Sequence, residues 1–244
     1  MFQSTSSYFC PFVSVIIPVF NDTERLKICL QSLEHQTYPQ EQYEIIVVDN
    51  NSNQDPKDVV SQFHHAILAY EKKPGSYAAR NHGITLAKGE ILAFTDSDCI
   101  PANDWLETGV SSLLNTPNCG LVGGKIEMFF QKEQRPNPIE LYDCVSNLQQ
   151  KKYIQELHFG ATANVFTFKR IFDTVGYFDS NLKAGGDFEW GRQVFSAGYS
   201  VVYAEQCQVA HPARHSWQEL AKKTIRVLEG RYYSFVQTKQ KQKK

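Results

Sequence analysis

Four short apolar runs, rich in β-branched residues, recur in the first hundred positions, and the stretches between them carry helical periodicity; no other feature restricts the fold as much. Val13 to Val19 is apolar except for Ser14 and is closed by Asn21, as expected of a strand buried on both faces. Leu26, Leu30 and Leu33 then share one helical face, and Asn21 with Glu24 three residues on has the spacing of a capping box. Tyr43 to Val48 is the next buried strand, and Asp55-Pro56 places a capping residue before a helix-opening proline. Ala66 to Tyr70, a helix from Ser76 to Ala87 and the strand Ile91 to Thr95 continue the alternation. Strands and helices alternating at this spacing build a mostly parallel, doubly wound sheet flanked by helices.

Beyond Asp98 the pattern loosens. Asn103 to Leu114 reads as a helix, Gly120 to Phe130 as a long strand, and Arg135-Pro-Asn-Pro138 as a break. Val165 to Phe168 and Val201 to Ala204 read as strands, Asp187 to Ala197 and Ser216 to Phe235 as helices, while residues 131–159 carry no legible pattern. The chain of 244 residues is expected to form one domain. With 25 basic and 26 acidic side chains, its net charge of -1 excludes a chain-wide field for nucleic acid. The six cysteines form no Cys-x-x-Cys pair, Met1 to Ser7 has no signal-peptide character, and no apolar run approaches a membrane span, so a cytoplasmic protein is expected.

Open parallel sheets bind ligands beyond the carboxyl ends of their strands, and those ends are polar here. They carry Asn21, Asp49-Asn50-Asn51-Ser52 and Asp96-Ser97-Asp98. Two carboxylates closing so apolar a strand are costly unless hydrogen-bonded or bound to a cation, and hard oxygen ligands favour Mg²⁺ or Mn²⁺. The alternative is that Asp96 caps a turn and Asp98 the following helix. Asp49 suits a ribose hydroxyl or a base N–H, or else only a turn. Arg80 and Asn81, one turn into the helix after Gly75, suit a diphosphate, or else are solvated. Asp187 and Glu189 are candidates for a general base, or else complement a helix dipole. His211 suits a metal, or else is a loop histidine.

Taken in order, these segments resemble glycosyltransferase family 2, over about Val13 to Tyr233. Val13-Ser-Val-Ile-Ile-Pro18-Val19-Phe20-Asn21 looks like the family's opening strand, which lines the nucleotide, and Val47-Val-Asp49-Asn-Asn-Ser52 like its second. Ala79-Arg80-Asn81-His-Gly83 is similar to the segment beside the donor, and Asp96-Ser97-Asp98 to the Asp-x-Asp metal motif. The resemblance implies a Rossmann-like, type A glycosyltransferase fold. It divides the chain into a nucleotide-binding half at about 13–100, an acceptor and catalytic half at about 101–235 and a basic tail at 236–244. Pro18, Val19, Phe20, Asn21, Asp49, Arg80, Asn81, Asp96 and Ser97 would hold the nucleotide sugar, and Asp98, Asp96 and His211 the metal.

Gly160-Ala161-Thr-Ala-Asn164 resembles the segment shaping the donor-sugar and acceptor pocket, to which Gly186 and Trp190 would also contribute. Gly185-Gly186-Asp187-Phe-Glu189-Trp190 looks like the segment with the catalytic base, which implies Asp187. Many relatives carry a Glu-Asp pair where Gly186 precedes Asp187 here, so Glu189 stays a second candidate. The implied activity is inverting transfer of a sugar from a UDP- or GDP-type donor to a hydroxyl of a glycan or lipid-linked acceptor. No Gln-x-x-Arg-Trp sequence is present, which points to non-processive transfer. The final helix and basic tail are either solvated or in peripheral contact with an anionic membrane. A nucleotidyltransferase is the rival enzyme, but it needs a glycine-rich turn where Pro18-Val-Phe-Asn21 stands. A non-catalytic binding protein would lack Asp98 or Asp187.

Overall fold

A computed structural model of the chain describes residues 10–132 and 135–241. The amino-terminal segment Met1 to Ser7 and the last lysines of the basic tail, Lys243 and Lys244, lie outside the described residues. The expected alternation is present: β1 (Val13–Val19), α1 (Thr23–Glu34), β2 (Tyr43–Asp49), α2 (Lys57–Val60), β3 (Ala66–Tyr70), α3 (Ser76–Leu86) and β4 (Ile91–Thr95). β1 pairs in parallel with β2 on one side and β4 on the other, and β2 with β3. The strand order therefore reverses at β1, where crevices open beyond the strand ends.

The remaining elements extend this sheet. They are β5 (Ile100–Pro101), α4 (Trp105–Asn115), β6 (Cys119–Phe129), α5 (Pro138–Ser146), α6 (Gln150–Leu157), β7 (Asn164–Phe168), α7 (Lys169–Val175), α8 (Gly186–Ser196), β8 (Ser200–Pro212) and α9 (Trp217–Lys241). The eight strands run in the order β3-β2-β1-β4-β7-β6-β8-β5. β7 is antiparallel to both β4 and β6, and β5 to β8, so the second half is the mixed part of the sheet.

Alternation along β1 assigns each side chain to a layer. Val13, Val15, Ile17 and Val19 pack in one layer with Leu26, Leu30 and Leu33 of α1 and Trp105 and Leu106 of α4. Ile16 faces the other, with Ile84 of α3, Phe172 of α7 and Trp190 and Val194 of α8. No helix among the described residues is long and apolar enough to cross a membrane.

Four expectations need correction. The capping box at Asn21 is absent: Asn21 adopts φ 54°, Asp22 occupies the cap position, and no side chain caps α1. Asn21 is instead a turn residue whose side-chain Oδ1 accepts from the Asn53 N–H at 2.7 Å, joining the loops after β1 and β2. Arg135 to Pro138 does not simply break the chain. Asn137 caps α5 in a true capping box with Glu140, and Pro138 takes the first-turn position where its missing N–H is harmless. β8 starts one residue before its expected start and runs eight past its expected end, through a register shift opposite Gly124 and Lys125, to Pro212. Finally, α9 continues past Phe235 to Lys241, so Lys239 and Lys241 are helical.

Candidate active site

The crevice beside β1 is floored by Asp96, Ser97 and Asp98, which follow the buried strand β4. The guanidinium of Arg80 pairs with the Asp96 carboxylate, and Arg80 is almost fully buried while its Nε has no protein partner. Asp98 is 24% exposed and faces the His211 Nε2 at 3.6 Å and the Arg25 guanidinium at 3.8 Å. Burial pushes the Asp98 carboxyl above the usual carboxylate range, His211 opposes this, and Asp96 reinforces it. His211 lies on β8, buried, opposite Met128 of β6, not in a loop as expected.

The residues fit a divalent cation. The Pro212 carbonyl, 2.8 Å from the His211 Nδ1, can only accept, so Nδ1 carries a hydrogen. In the neutral ring Nε2 is then a lone pair aimed at a carboxylate, and a cation between them satisfies both. Cys99, which sequence reasoning passed over, groups with Asp98 and His211 within 4.8 Å. Burial raises the Cys99 thiol well above its ordinary value and keeps it protonated, which leaves the hard carboxylate and the imidazole as the better ligands. Asp96 lies outside that group, and its Oδ1 pairs with Arg80.

Asp187 occupies the first turn of α8. Its Oδ1 accepts from the Tyr77 hydroxyl at 3.1 Å and from the Phe188 N–H at 2.9 Å. Burial raises its carboxyl above the ordinary range, while the Phe188 N–H, Arg80 and Tyr77 pull it back. Tyr77 and Arg80 are successive contacts on α3, so one helix face touches both the Asp187 and the Asp96 carboxylates. Glu189 lies in the same first turn, half-buried.

Other expected site residues are placed differently. Asp49 is buried with its carboxylate accepting the Ser52 N–H, and Ser97, after β4, is buried as well. Pro18 and Val19 are buried within β1, leaving Phe20, 60% exposed, and Asn21 at its open end. The Asn81 amide donates to the Phe178 carbonyl and accepts from the Phe178 N–H, which pins that loop. The expected sugar pocket at Gly160, Ala161 and Asn164 is core. Asn164 is fully buried, accepting from the Trp105 indole and donating to the carbonyls of Lys125 and Cys207. The Ala161 N–H donates to the Gln150 side chain, and Gly160 is buried. Trp190 is also core, stacked 4.5 Å from Phe172 with its indole bonded to the Gly176 carbonyl. Gly186 serves packing, since a Cβ there would meet the Tyr77 ring at 2.9 Å.

The family model described as glycosyl transferase family 2 matches residues 14–176, which contain β1 from Ser14 onward and all three polar strand ends, the Asp96-Ser97-Asp98 motif among them. The chain belongs to glycosyltransferase family 2. It is 42% identical over 225 residues to the glycosyltransferase AglE of Haloferax volcanii, covering 90% of this chain and 73% of that one. It is 25% identical over 228 residues to the dolichyl N-acetyl-α-D-glucosaminyl phosphate 3-β-D-2,3-diacetamido-2,3-dideoxy-β-D-glucuronosyltransferase of Methanococcus voltae, covering 88% of this chain and 71% of that one. Mannosyltransferase PcManGT of Pyrobaculum calidifontis, solved with GDP-Man and Mn²⁺, superposes with a TM-score of 0.66 at 22% identity over 84% of this chain. S. aureus TarS with UDP superposes with a TM-score of 0.64 at 19% identity over 83%. This chain spans 57% and 60% of those two solved chains, and the likeness establishes the type A glycosyltransferase fold. The activity of this family 2 glycosyltransferase is sugar transfer from a nucleotide sugar in glycan biosynthesis.

Sequence reasoning missed three further groups at the site. Tyr77 lay within the expected helix Ser76 to Ala87, but its partner stands 110 positions away. Asp22 and Arg25, paired at 2.7 Å at the start of α1, carry no motif in the sequence, and only the fold turns Arg25 toward Asp98.

Proposed function

We propose that the enzyme transfers one sugar per encounter, with inversion, from a UDP- or GDP-type donor to an acceptor hydroxyl, and that Asp187 is the general base. The observation that carries this reading is the α3 face on which Tyr77 holds Asp187 while Arg80 holds Asp96. It brings the base candidate of the second half to the donor crevice of the first, so both halves act as one catalytic unit.

Asp98 and His211 would hold Mn²⁺ or Mg²⁺, which when bound neutralises charge on the departing diphosphate. Arg25 adds a cation on the same rim. Asp187 takes the proton of the acceptor hydroxyl as its oxygen bonds to the anomeric carbon; the bond from that carbon to the diphosphate oxygen breaks, and the nucleoside diphosphate leaves with the electron pair. Attack from the face opposite the leaving group inverts the anomeric configuration. An elevated carboxyl makes Asp187 a stronger base than an exposed aspartate, while the Tyr77 hydroxyl and the Phe188 N–H, both bonded to its Oδ1, favour the ionised form that acts. The Mn²⁺ and GDP-Man bound by PcManGT and the UDP bound by TarS support the metal and the donor class. The name of the Methanococcus voltae relative, with its dolichyl phosphate sugar, supports a lipid-linked acceptor.

Asp187→Asn should lower turnover by at least ~10²-fold with donor affinity by calorimetry nearly unchanged. If Glu189→Gln gives that profile and Asp187→Asn does not, the base is misassigned.

A further inference from the structure

Helix α9 is apolar on two faces. Leu220 and Gly230 are buried against the body, with Val227 half-buried beside them. Away from the body, Trp217, Ile225, Leu228 and Tyr232 are each more than half exposed. At about 100° per residue these four fall, with Ala221, in a stripe roughly 80° wide. The neighbouring α5 packs on α9 and leaves Leu141, Tyr142 and Val145 exposed as well. Apolar side chains collected in this way mark an interaction surface, whereas scattered ones need no explanation.

The charges beside the stripe indicate what covers it. Lys222 and Arg226 are exposed along one edge, and neither has an ion-pair partner among the described residues. The acids of the same helix are occupied: Glu219 by His215 at 3.5 Å and Glu229 by Lys183 at 3.0 Å. The sequence adds Arg231, Lys239 and Lys241 to this helix without a further acid. A second copy would bring like charges together along the stripe, whereas an anionic bilayer takes the apolar groups into its acyl boundary and the cations at its headgroups.

We propose that α9, flanked by α5, docks on an anionic membrane surface. The proposal builds on the reading of a lipid-linked acceptor, which such docking would present to the site. The link is short: Asp143 of α5 accepts from the Arg214 N–H at 3.0 Å and from its guanidinium at 3.1 Å, three residues beyond His211.

The tryptophans supply a probe, because Trp105 and Trp190 are buried while Trp217 is 71% exposed. Phosphatidylcholine vesicles containing phosphatidylglycerol should shift the emission to the blue and co-sediment with the protein, less so in high salt. Ile225→Glu with Leu228→Glu, at exposed positions, should leave the thermal midpoint unchanged and lower vesicle affinity at least tenfold; Lys222→Gln with Arg226→Gln should weaken it with the stripe intact. Equal binding to pure phosphatidylcholine, no binding to either vesicle, or a dimer in ultracentrifugation that the double Glu variant abolishes would each overturn the proposal. Donor binding without vesicles reports the active site separately: its loss with docking intact counts against the proposed function, and lost docking with donor binding intact counts only against the membrane surface.

Discussion

Removing one hydroxyl, by Tyr77→Phe, tests whether Asp187 works as a base held by α3. The Tyr77 ring is buried against Phe178, with ring centroids 5.7 Å apart, and against the Gly186 backbone, so phenylalanine keeps the packing. Burial also pushes the Tyr77 phenol upward, which keeps it a hydrogen-bond donor throughout the working range. A hydrogen bond to an ionised acceptor contributes about 1.5–3 kcal/mol. At 3.1 Å this one is long for its class, which places it at the lower end. About 1.4 kcal/mol is a factor of ten, so the proton should bind Asp187 about tenfold more tightly in the variant. The carboxylate must be ionised to act, so the sign is fixed: activity falls as pH drops through a carboxyl already raised by burial, and the variant loses it at higher pH. With donor and metal saturating, kcat should match wild type on the neutral plateau and fall about tenfold below it on the acid side. Superimposable acid limbs, or a loss equal at every pH, would refute the reasoning.

Three further outcomes are expected. Asp98→Ala should abolish Mn²⁺-dependent donor binding, and an unchanged calorimetric affinity with Mn²⁺ present removes the metal role from the Asp98–His211 pair. Asn164→Ala, which leaves the buried Trp105 indole unpaired, should cost about 1–3 kcal/mol in urea unfolding with donor affinity retained; the opposite pattern would return Asn164 to the sugar pocket. Lys223 is depressed from 10.5 to about 7 by burial and then by Arg214, against the pull of Asp143. Between those two values the unfolded chain binds the proton that the native one lacks, so this group's contribution to stability rises with pH there and is lost as pH falls toward 7. Lys223→Met should remove that slope, and a wild-type-minus-variant difference in urea midpoint that is flat from pH 7 to 10 would contradict it.

The first half of the fold was legible because β1, β2 and β4 are buried on both faces and read as apolar runs, and the part-exposed edge strand β3 is apolar as well. Val13–Val19, Ala66–Tyr70 and Ile91–Thr95 begin and end at the expected residues. The second half mixes directions and exposures. β8 alternates buried and exposed positions through a register shift, so only its first residues resembled a strand, and its far end, with His211, was taken for a loop. α5 was hidden by its own prolines, since Pro138 signals a break unless Asn137 is recognised as its cap.

For the site, the sequence conveyed which residue types stand at the strand ends but not which of their polar atoms are already committed. Asn81 and Asn164 are polar, lie near the expected motifs, and spend their hydrogen bonds on the scaffold; they keep the Phe178 loop and the β6–β8 junction in place. Arg80 lies between these cases. It is buried, bonded to Asp96 and electrostatically felt at Asp187, and its Nε lacks a protein partner. A buried guanidinium nitrogen without an acceptor is costly, and an anionic ligand in the crevice is what would supply one. Asp96 of the first half and the base candidate of the second thus share one cation, Arg80, a link that no single motif conveys.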